Sequence, residues 1–386
     1  MIAMMRNRSE SGQSDNDLDS WDVKLVTGTQ ACLEALTVDF DGAYYTPFQH
    51  PAWLRVWAGN FSDTAAPVTF LIEVCDRETG RVVLRLPLRL ERWWGVRVLR
   101  GWDGGVSDYN GPVLARDFIP SPPALRRLWA KILATLPSCD VLALTRMPME
   151  IAGRGNPLLG VGGVTPAANS AYTVRLAGDS GDRLADRFNP SMRRSIERKR
   201  RKLSNKGELV FRQRQARDAL DVLDALLVWR RDRFAISKDN REVQRVEGFW
   251  RRLSLETDIA HVADLSLDGQ VLAAGFGTRT DSCFQLLSTG FDIAWKNWSP
   301  GLIVIEEMIT SAHANGLTLF DFTIGNNNYK TNFGAEILPL FDLYSARSFL
   351  GYLAICTRNP RIRTLLRPAV RQSPDQDPRP QSKIQN

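Results

Sequence analysis

Histidine and pairable cysteine are what this chain lacks most. It has three histidines in 386 residues, at positions 50, 261 and 313, too far apart to read as a metal site. Its five cysteines, Cys32, Cys75, Cys139, Cys283 and Cys356, are odd in number and scattered, with no C-x-x-C pair. That pattern offers neither a disulfide framework nor a zinc site and fits a reducing cytoplasm, so no metal is expected. No apolar run approaches the ~18 residues that a membrane span requires. The opening MIAMMRNRSESGQSDNDLDS turns polar after five residues and lacks a signal-peptide apolar core, so residues 1–20 are expected to be a disordered lead-in. A general excess of one charge is missing too. The net charge is +7, and residues 191–206, SMRRSIERKRRKLSNK, carry all of it with eight basic residues and one acid. A neutral protein with one basic helix is a poor general nucleic-acid binder.

What is present is ordinary for a soluble globular chain, with 44% hydrophobic and 24% charged residues. The length suits two domains. Residues 151–169, IAGRGNPLLGVGGVTPAAN, read as a linker between a domain at 21–150 and another at 170–350. Residues 351–386 read as a C-terminal helix followed by a polar, Pro-rich disordered tail. The halves share an outline. VTFLIEVCDRETGRVVLRLPLRL is a hairpin turning at Gly80, followed by the irregular GWDGGVSDYNGP, a helix in PPALRRLWAKILATL and the strand DVLALTR. DIAHVADLSLDGQVLAAGFG is a hairpin turning at Asp268-Gly269, followed by CFQLLSTGF, the loop IAWKNW, a helix and the strand LTLFDFT. The pattern is equally consistent with a duplication and with coincidence in an α+β protein.

The basic helix has readable ends. Asn189 can N-cap, Pro190 suits the first helical position, and Gly207 can take the left-handed C′ conformation. Met192, Ile196 and Leu203 form a narrow apolar stripe on it. The rest is either a solvated face or a guide for a polyanionic substrate, and the two are compatible.

Chemistry gathers in residues 297–330, NWSPGLIVIEEMITSAHANGLTLFDFTIGNNNYK. Ser299 is a candidate N-cap, Pro300 a first helical residue, and Gly301 keeps the first turn free of bulk. Leu302, Ile305, Ile309 and Ala312 supply a core stripe, and Asn315-Gly316 stops the helix. A helix start clear of side chains favours anions. In the next strand Asp321 and Thr323 share a face with Leu319, opposite Phe320, Phe322 and Ile324. A mid-strand carboxylate among apolar neighbours needs a partner, whether structural or in a site. After the turn-prone Gly325–Asn328 come Tyr329-Lys330, whose hydroxyl and ammonium can protonate a leaving thiolate and polarise a carbonyl.

Together with PFQHPAWLRVW (47–57), LPLRLERWWGVRVLRGWDGGVSDYNGP (86–112), MRRSIERKRRKLSNKGELVF (192–211), DGQVLAAGFG (268–277) and GLTLFDFTIGNNNYKTNFG (316–334), these pieces resemble the GNAT superfamily of acyltransferases over residues 45–345. The likeness is to its CelD-like branch, associated with cellulose and exopolysaccharide biosynthesis. The basic helix and the Lys330-x-x-Phe333-Gly334 segment are similar, more loosely, to Fem-type aminoacyltransferases, which pair two GNAT domains. The resemblance implies an α+β fold of two GNAT-like domains, each a mixed, mostly antiparallel sheet flanked by helices. It implies acyl-CoA as donor, flanked by Leu287 and Ser288 of CFQLLSTGF and by Ser299, Gly301 and Leu302, and an amine of a sugar or polysaccharide precursor as acceptor. Tyr329 is then the candidate acid, Lys330 the candidate for charge stabilisation or acceptor phosphate binding, and Asp321 a third catalytic candidate. Asp108 and Tyr109 would face the small-molecule or glycan acceptor. A membrane-associated polysaccharide assembly is the implied partner, with a location in the cytoplasm or peripheral at the inner membrane and no nucleic acid. One departure bears on the donor: the usual Gln/Arg-x-x-Gly-x-Gly/Ala signature is here NWSPGL, retaining Gly301 alone, and Pro300 removes an N–H. Three readings follow: an acyl-CoA N-acyltransferase, a Fem-like enzyme using aminoacyl-tRNA, and a GNAT-shaped scaffold.

Remaining features take plainer expectations. The tryptophans Trp53, Trp57, Trp93, Trp94 and Trp102 are expected in core and rim, and His261 as a packed histidine. Residues 348–371 are apolar, then basic, and suit a C-terminal packing helix or a membrane surface.

Overall fold

A computed structural model describes residues 20–37, 42–61, 68–176, 184–233, 240–325 and 328–356. The expected lead-in (save Ser20), the tail after Cys356 and Asn326-Asn327 lie outside these residues.

Among the described residues the first half contains β1 (Trp21–Thr27), α1 (Thr29–Thr37), α2 (Pro51–Phe61), β2 (Val68–Asp76), β3 (Val82–Trp93), β4 (Val96–Gly101), β5 (Val113–Leu114), α3 (Pro122–Thr135) and β6 (Val141–Pro148). The small hairpin β7 (Glu150–Ile151) and β8 (Arg154–Gly155) leads to β9 (Val164–Pro166). The second half runs β10 (Ala171–Arg175), α4 (Pro190–Ser204), β11 (Leu209–Gln215), α5 (Leu220–Arg233), α6 (Arg241–Glu256), β12 (Ala260–Leu267), β13 (Gln270–Arg279), β14 (Cys283–Phe291), α7 (Pro300–Ala314), β15 (Leu319–Ile324), α8 (Asn328–Asn332) and β16 (Glu336–Leu338). It closes with β17 (Leu340–Ala346) and α9 (Phe349–Cys356).

Turn and cap chemistry sets the local structure. Gly80 (φ 69°), Asp268 (φ 48°) with Gly269 (φ 83°), and Gly316 (φ 75°) take the left-handed conformations their turns require. Asn189 caps α4, accepting from the backbone of Ser191 (3.0 Å) and Met192 (3.2 Å). Gly207 behaves otherwise than expected. It is not a left-handed C′ residue, because α4 ends at Asn205 in the right-handed region. Its missing side chain makes room for the Asp268 carboxylate, which a Cβ would overlap.

Two sheets result, each mostly antiparallel with helices on its faces. Their orders are β1-β2-β3-β4-β6-β17-β9, with β5 also on β3, and β11-β12-β13-β14-β15-β10-β16. The pattern of directions is the same in both: three antiparallel pairings, one parallel (β4 with β6, β14 with β15), then two antiparallel. In each, the helix between the parallel strands (α3 or α7) supplies the crossover. β10, the strand after β9, lies in the second sheet between β15 and β16, whereas β17, the strand after β16, returns to the first sheet between β6 and β9. This redraws the expected boundaries. Residues 151–169 are a working part of the first sheet, where β9 pairs with β17. Residues 340–346, expected in the second domain, lie between β6 and β9, and α9 packs on the same sheet through Ala354 against Val96, Val98 and Val141.

The largest core spans both halves. Trp53, Trp57 and Phe61 of α2 pack with Phe249 and Trp250 of α6, the Trp53 and Phe249 rings edge-to-face at 4.7 Å. Trp53, Trp57 and Trp102 are buried, as expected of core tryptophans, whereas Trp93 and Trp94 are exposed. His261 is half-buried within β12, and burial lowers it to about 4.

Candidate active site

The site is built around a notch in the second sheet. β14 and β15 pair at Cys283 with Leu319, Phe284 with Phe320, and Gln285 with Asp321. Beyond Gln285, β14 continues along β13 while β15 continues along β10, so the two parallel strands part. Two backbone irregularities mark the parting. Leu287 is the extra residue of a β-bulge, because Gly277 faces Leu286 and Phe276 faces Ser288. Thr323 has φ 59°, an unfavourable region for a β-branched residue, and is held there by donating its N–H to Asp321 Oδ1 (2.7 Å) and its hydroxyl to the Leu286 carbonyl (3.4 Å). The first sheet has the matching notch after Arg100 and Ala143, where its own loop fills it. There Asn110 donates its backbone N–H to Arg146 O (3.2 Å) and its amide to Thr145 O (3.1 Å), against a glycine, Gly101, whose Cβ would meet Asn110 Oδ1 at 2.6 Å.

Asp321 sits at the vertex of the second notch, 3% exposed. The Tyr109 hydroxyl, from the first half, donates to its Oδ1 (2.8 Å), and Gln285 Nε2 donates to its Oδ2 (3.4 Å). Thr278 in turn donates to Gln285 Oε1 (3.2 Å). Burial raises the Asp321 carboxyl to about 6 against the pull of these hydrogen bonds, and the neighbouring Asp108 charge adds to the rise. Burial and the Asp321 charge push the Tyr109 phenol well above its usual value, so it remains a donor. A carboxyl poised near neutrality can take up and release a proton under physiological conditions. The segment TPFQH supports Tyr109 from behind: the Phe48 ring lies edge-on at 5.3 Å and Gln49 Nε2 donates to the Tyr109 carbonyl (3.5 Å). Gln49, Thr278 and Gln285 did not stand out in the sequence. For Gln285 a signal existed, a lone amide in an apolar strand whose neighbour holds a lone carboxylate.

Several sequence candidates take other positions. Lys330, on α8, is 2% exposed and donates to the carbonyls of Phe322 (3.1 Å), Thr323 (3.3 Å) and Ile324 (3.1 Å), with the Tyr172 ring 5.3 Å away. Its ammonium fastens the end of β15 as that strand leaves β14. Tyr329 is half-buried, its ring edge-on to Phe322 at 6.0 Å. Ser299 does not cap α7. It lies in the left-handed region (φ 49°, ψ 50°) with no side-chain cap bond, and its hydroxyl instead accepts from Lys199 of α4 (2.6 Å). Arg200, next in α4, pairs with Glu306 and with Glu307 (2.9 Å) on α7. The basic helix therefore lies along α7 and brings a cation to the helix start that Pro300 leaves one N–H short. Gly301 lies against Phe291, whose Cδ1 would be 3.2 Å from an added Cβ, and Leu302 is half-buried beside it. Leu287 and Ser288 stand at the bulge, and Asp108 is buried beside Tyr109. Among the described residues no cluster of His, Cys, Asp or Glu is placed to hold a metal ion.

The two sheets share one topology and each parts at a parallel pair, so the chain is a tandem of GNAT-like folds. Residues 190–331, which include α4, the second notch, α7 and Tyr329-Lys330, match the family model described as an acetyltransferase (GNAT) domain. No curated protein matches the chain significantly. Among solved structures, the crystal structure of FemX shares the fold with a TM-score of 0.56 at 12% identity, over 83% of this chain and 96% of that one. A tandem GNAT protein from the clavulanic acid biosynthesis pathway aligns with a TM-score of 0.43 at 15% identity, over 85% and 99% of the two chains.

Proposed function

We propose that the protein is an acyl-CoA-dependent N-acyltransferase acting on an amine of a sugar or polysaccharide precursor, as the likeness to the CelD-like branch implies. The observation that carries this reading is the parting of β14 from β15 at a buried carboxylate, with the Lys199-Ser299 contact at the start of α7. An acyl-pantetheine arm would lie between the parting strands, alongside the Leu287-Ser288 bulge. Its pyrophosphate would lie at Ser299, Gly301 and Leu302, where Lys199 offsets the donor that Pro300 lacks. The acceptor enters from the side of Asp108 and Tyr109. Its amine attacks the thioester carbonyl, a C–N bond forms and the C–S bond breaks. The proton lost by the amine goes to Asp321 and the leaving thiolate takes a proton from Tyr329; Asp321 then releases its proton to solvent and the Tyr329 phenolate recovers one, restoring both groups. The reaction would take place in the cytoplasm, beside the machinery that consumes the acylated glycan.

Calorimetric titration with coenzyme A tests the donor. Lys199→Glu is the appropriate companion variant, since it reverses one charge at the helix start while a glutamate at Gly301 would also displace Phe291. We expect micromolar binding that the variant weakens by about tenfold or more. Absence of binding at millimolar coenzyme A, with salt-sensitive binding of aminoacyl-tRNA, would overturn the proposal. It would favour a Fem-like donor carried on the exposed Arg194, Arg198, Arg201 and Lys202 of α4.

A further inference from the structure

The last described helix is apolar on every side yet only half covered. α9, FLGYLAIC, contains no charged residue. Its inner face is closely docked. Gly351 lies so near the Asp140 carbonyl that an added Cβ would overlap it, and Ala354 is buried against Val96, Val98 and Val141. Ser348 fastens its start, donating to Asp140 Oδ1 (2.7 Å) and accepting from Gly351 N (3.1 Å). The outer face presents Phe349 at 76% exposure, Tyr352 at 56% and Leu350 at 45%. A helix docked on a soluble domain ordinarily turns charged and polar residues outward.

A second element adds to this face. Trp93, which ends β3, and Trp94, in the turn to β4, are 40% and 77% exposed, three and two residues before the Val96 that packs under α9. Rigid aromatic rings with a polar N–H favour the zone between water and hydrocarbon. Arg92 and Arg347 are exposed beside the two elements, the Asp140 carboxylate at the start of α9 is buried and paired with Arg97, and the sequence that follows α9, residues 357–371, has five arginines and no acid.

We infer that α9 and the Trp93-Trp94 turn form a docking surface for an anionic lipid bilayer, by which this face of the first sheet lies on a membrane. The arrangement fits shallow insertion: exposed apolar and aromatic side chains on two neighbouring elements, flanked by Arg92 and Arg347, which complement negative headgroups. No helix among the described residues is long and apolar enough to span a bilayer, so the attachment is at the surface. The inference does not depend on the donor or acceptor assignment. It would place an acceptor site near lipid-linked or membrane-bound substrates.

The test is flotation of the full chain with vesicles of phosphatidylcholine containing one-third phosphatidylglycerol, compared with vesicles of phosphatidylcholine alone. The companion variant is Phe349→Ser/Leu350→Ser/Tyr352→Ser, all solvent-facing, with unfolding temperature measured to confirm an intact fold. The wild type should float with the anionic vesicles and be released by high salt, and the triple variant should lose about tenfold or more in partitioning. Trp94→Ala in the wild-type background should lose less and should remove part of any vesicle-induced blue shift in fluorescence. Equal flotation of wild type and a folded triple variant would overturn the inference, as would no flotation of the wild type. Wild-type dimers that the triple variant dissolves, without flotation, would assign the face to a second copy of this chain instead.

Discussion

Burial and hydrogen bonding pull the Asp321 carboxyl in opposite directions, and burial wins, leaving it raised to about 6. A carboxyl raised in the folded state stabilises fully below its unfolded value of about 3.9, and that stability is lost as pH rises through the folded value. Asp321→Asn keeps an oxygen for Tyr109 and an amide that a rotated Gln285 can meet, but cannot ionise. The variant should match the wild type near pH 4 and exceed it in stability by on the order of 2 kcal/mol at pH 7, while losing about a hundredfold or more in acyl transfer. Urea midpoints between pH 4 and 7 decide the first point, and a stability difference flat with pH would remove Asp321 as a titrating group in this range. The sequence showed that Asp321 needed a partner, since a lone carboxylate in an apolar strand cannot stand unsatisfied. It could not show which, because Tyr109 lies 212 residues away. The partners of Lys330 were hidden for a similar reason: a lysine beside a polar loop gives no sign that β15 turns three carbonyls toward it.

At the scale of elements, what depends on neighbouring residues was legible. The Asn189 cap, the Asp268-Gly269 turn and the Gly316 stop are decided within a few residues, where side-chain reach and φ preference settle the outcome. Ser299 and Gly207 look equally local, but a distant residue claims each of them. Lys199 takes the Ser299 hydroxyl, and the Asp268 carboxylate occupies the space that a Gly207 side chain would need. Gly351 is a third case, an unremarkable glycine in an apolar run that proves to be the contact point of α9. Gly351→Ala would drive a methyl group into the Asp140 carbonyl and Val141. Because backbone and not a flexible side chain must yield, the helix should lift from the sheet at a cost of about 1–3 kcal/mol. Limited proteolysis should then cut near Ser348 well before any site in the wild type. An unchanged cleavage pattern and melting temperature would mean that the sheet edge can shift to accept the methyl.

At the scale of the molecule, the return of β17 to the first sheet decides how the halves depend on one another. The alternation in LFDLYSA marks β17 as a strand, but nothing local tells which sheet it enters, and the run of glycines and prolines at 151–169 invites a linker where a strand in fact pairs. A chain stopped at residue 169 would lack β17 and α9, exposing the β6 edge and the apolar surface of Val96, Val98 and Val141. It would also leave α2, with Trp53 and Trp57, without the α6 side of the shared core. A fragment beginning at residue 170 would retain the second sheet but leave β17 and α9 with no sheet to join and uncover Phe249 and Trp250. Neither fragment should fold alone, and the full chain should melt in one calorimetric transition with equal van't Hoff and calorimetric enthalpies. Two resolved transitions would show that β17 detaches without unfolding the sheet it completes. A single transition would mean that the notch at Asp321 and the Tyr109 that reaches into it form and dissolve together, so the site exists only in the assembled pair.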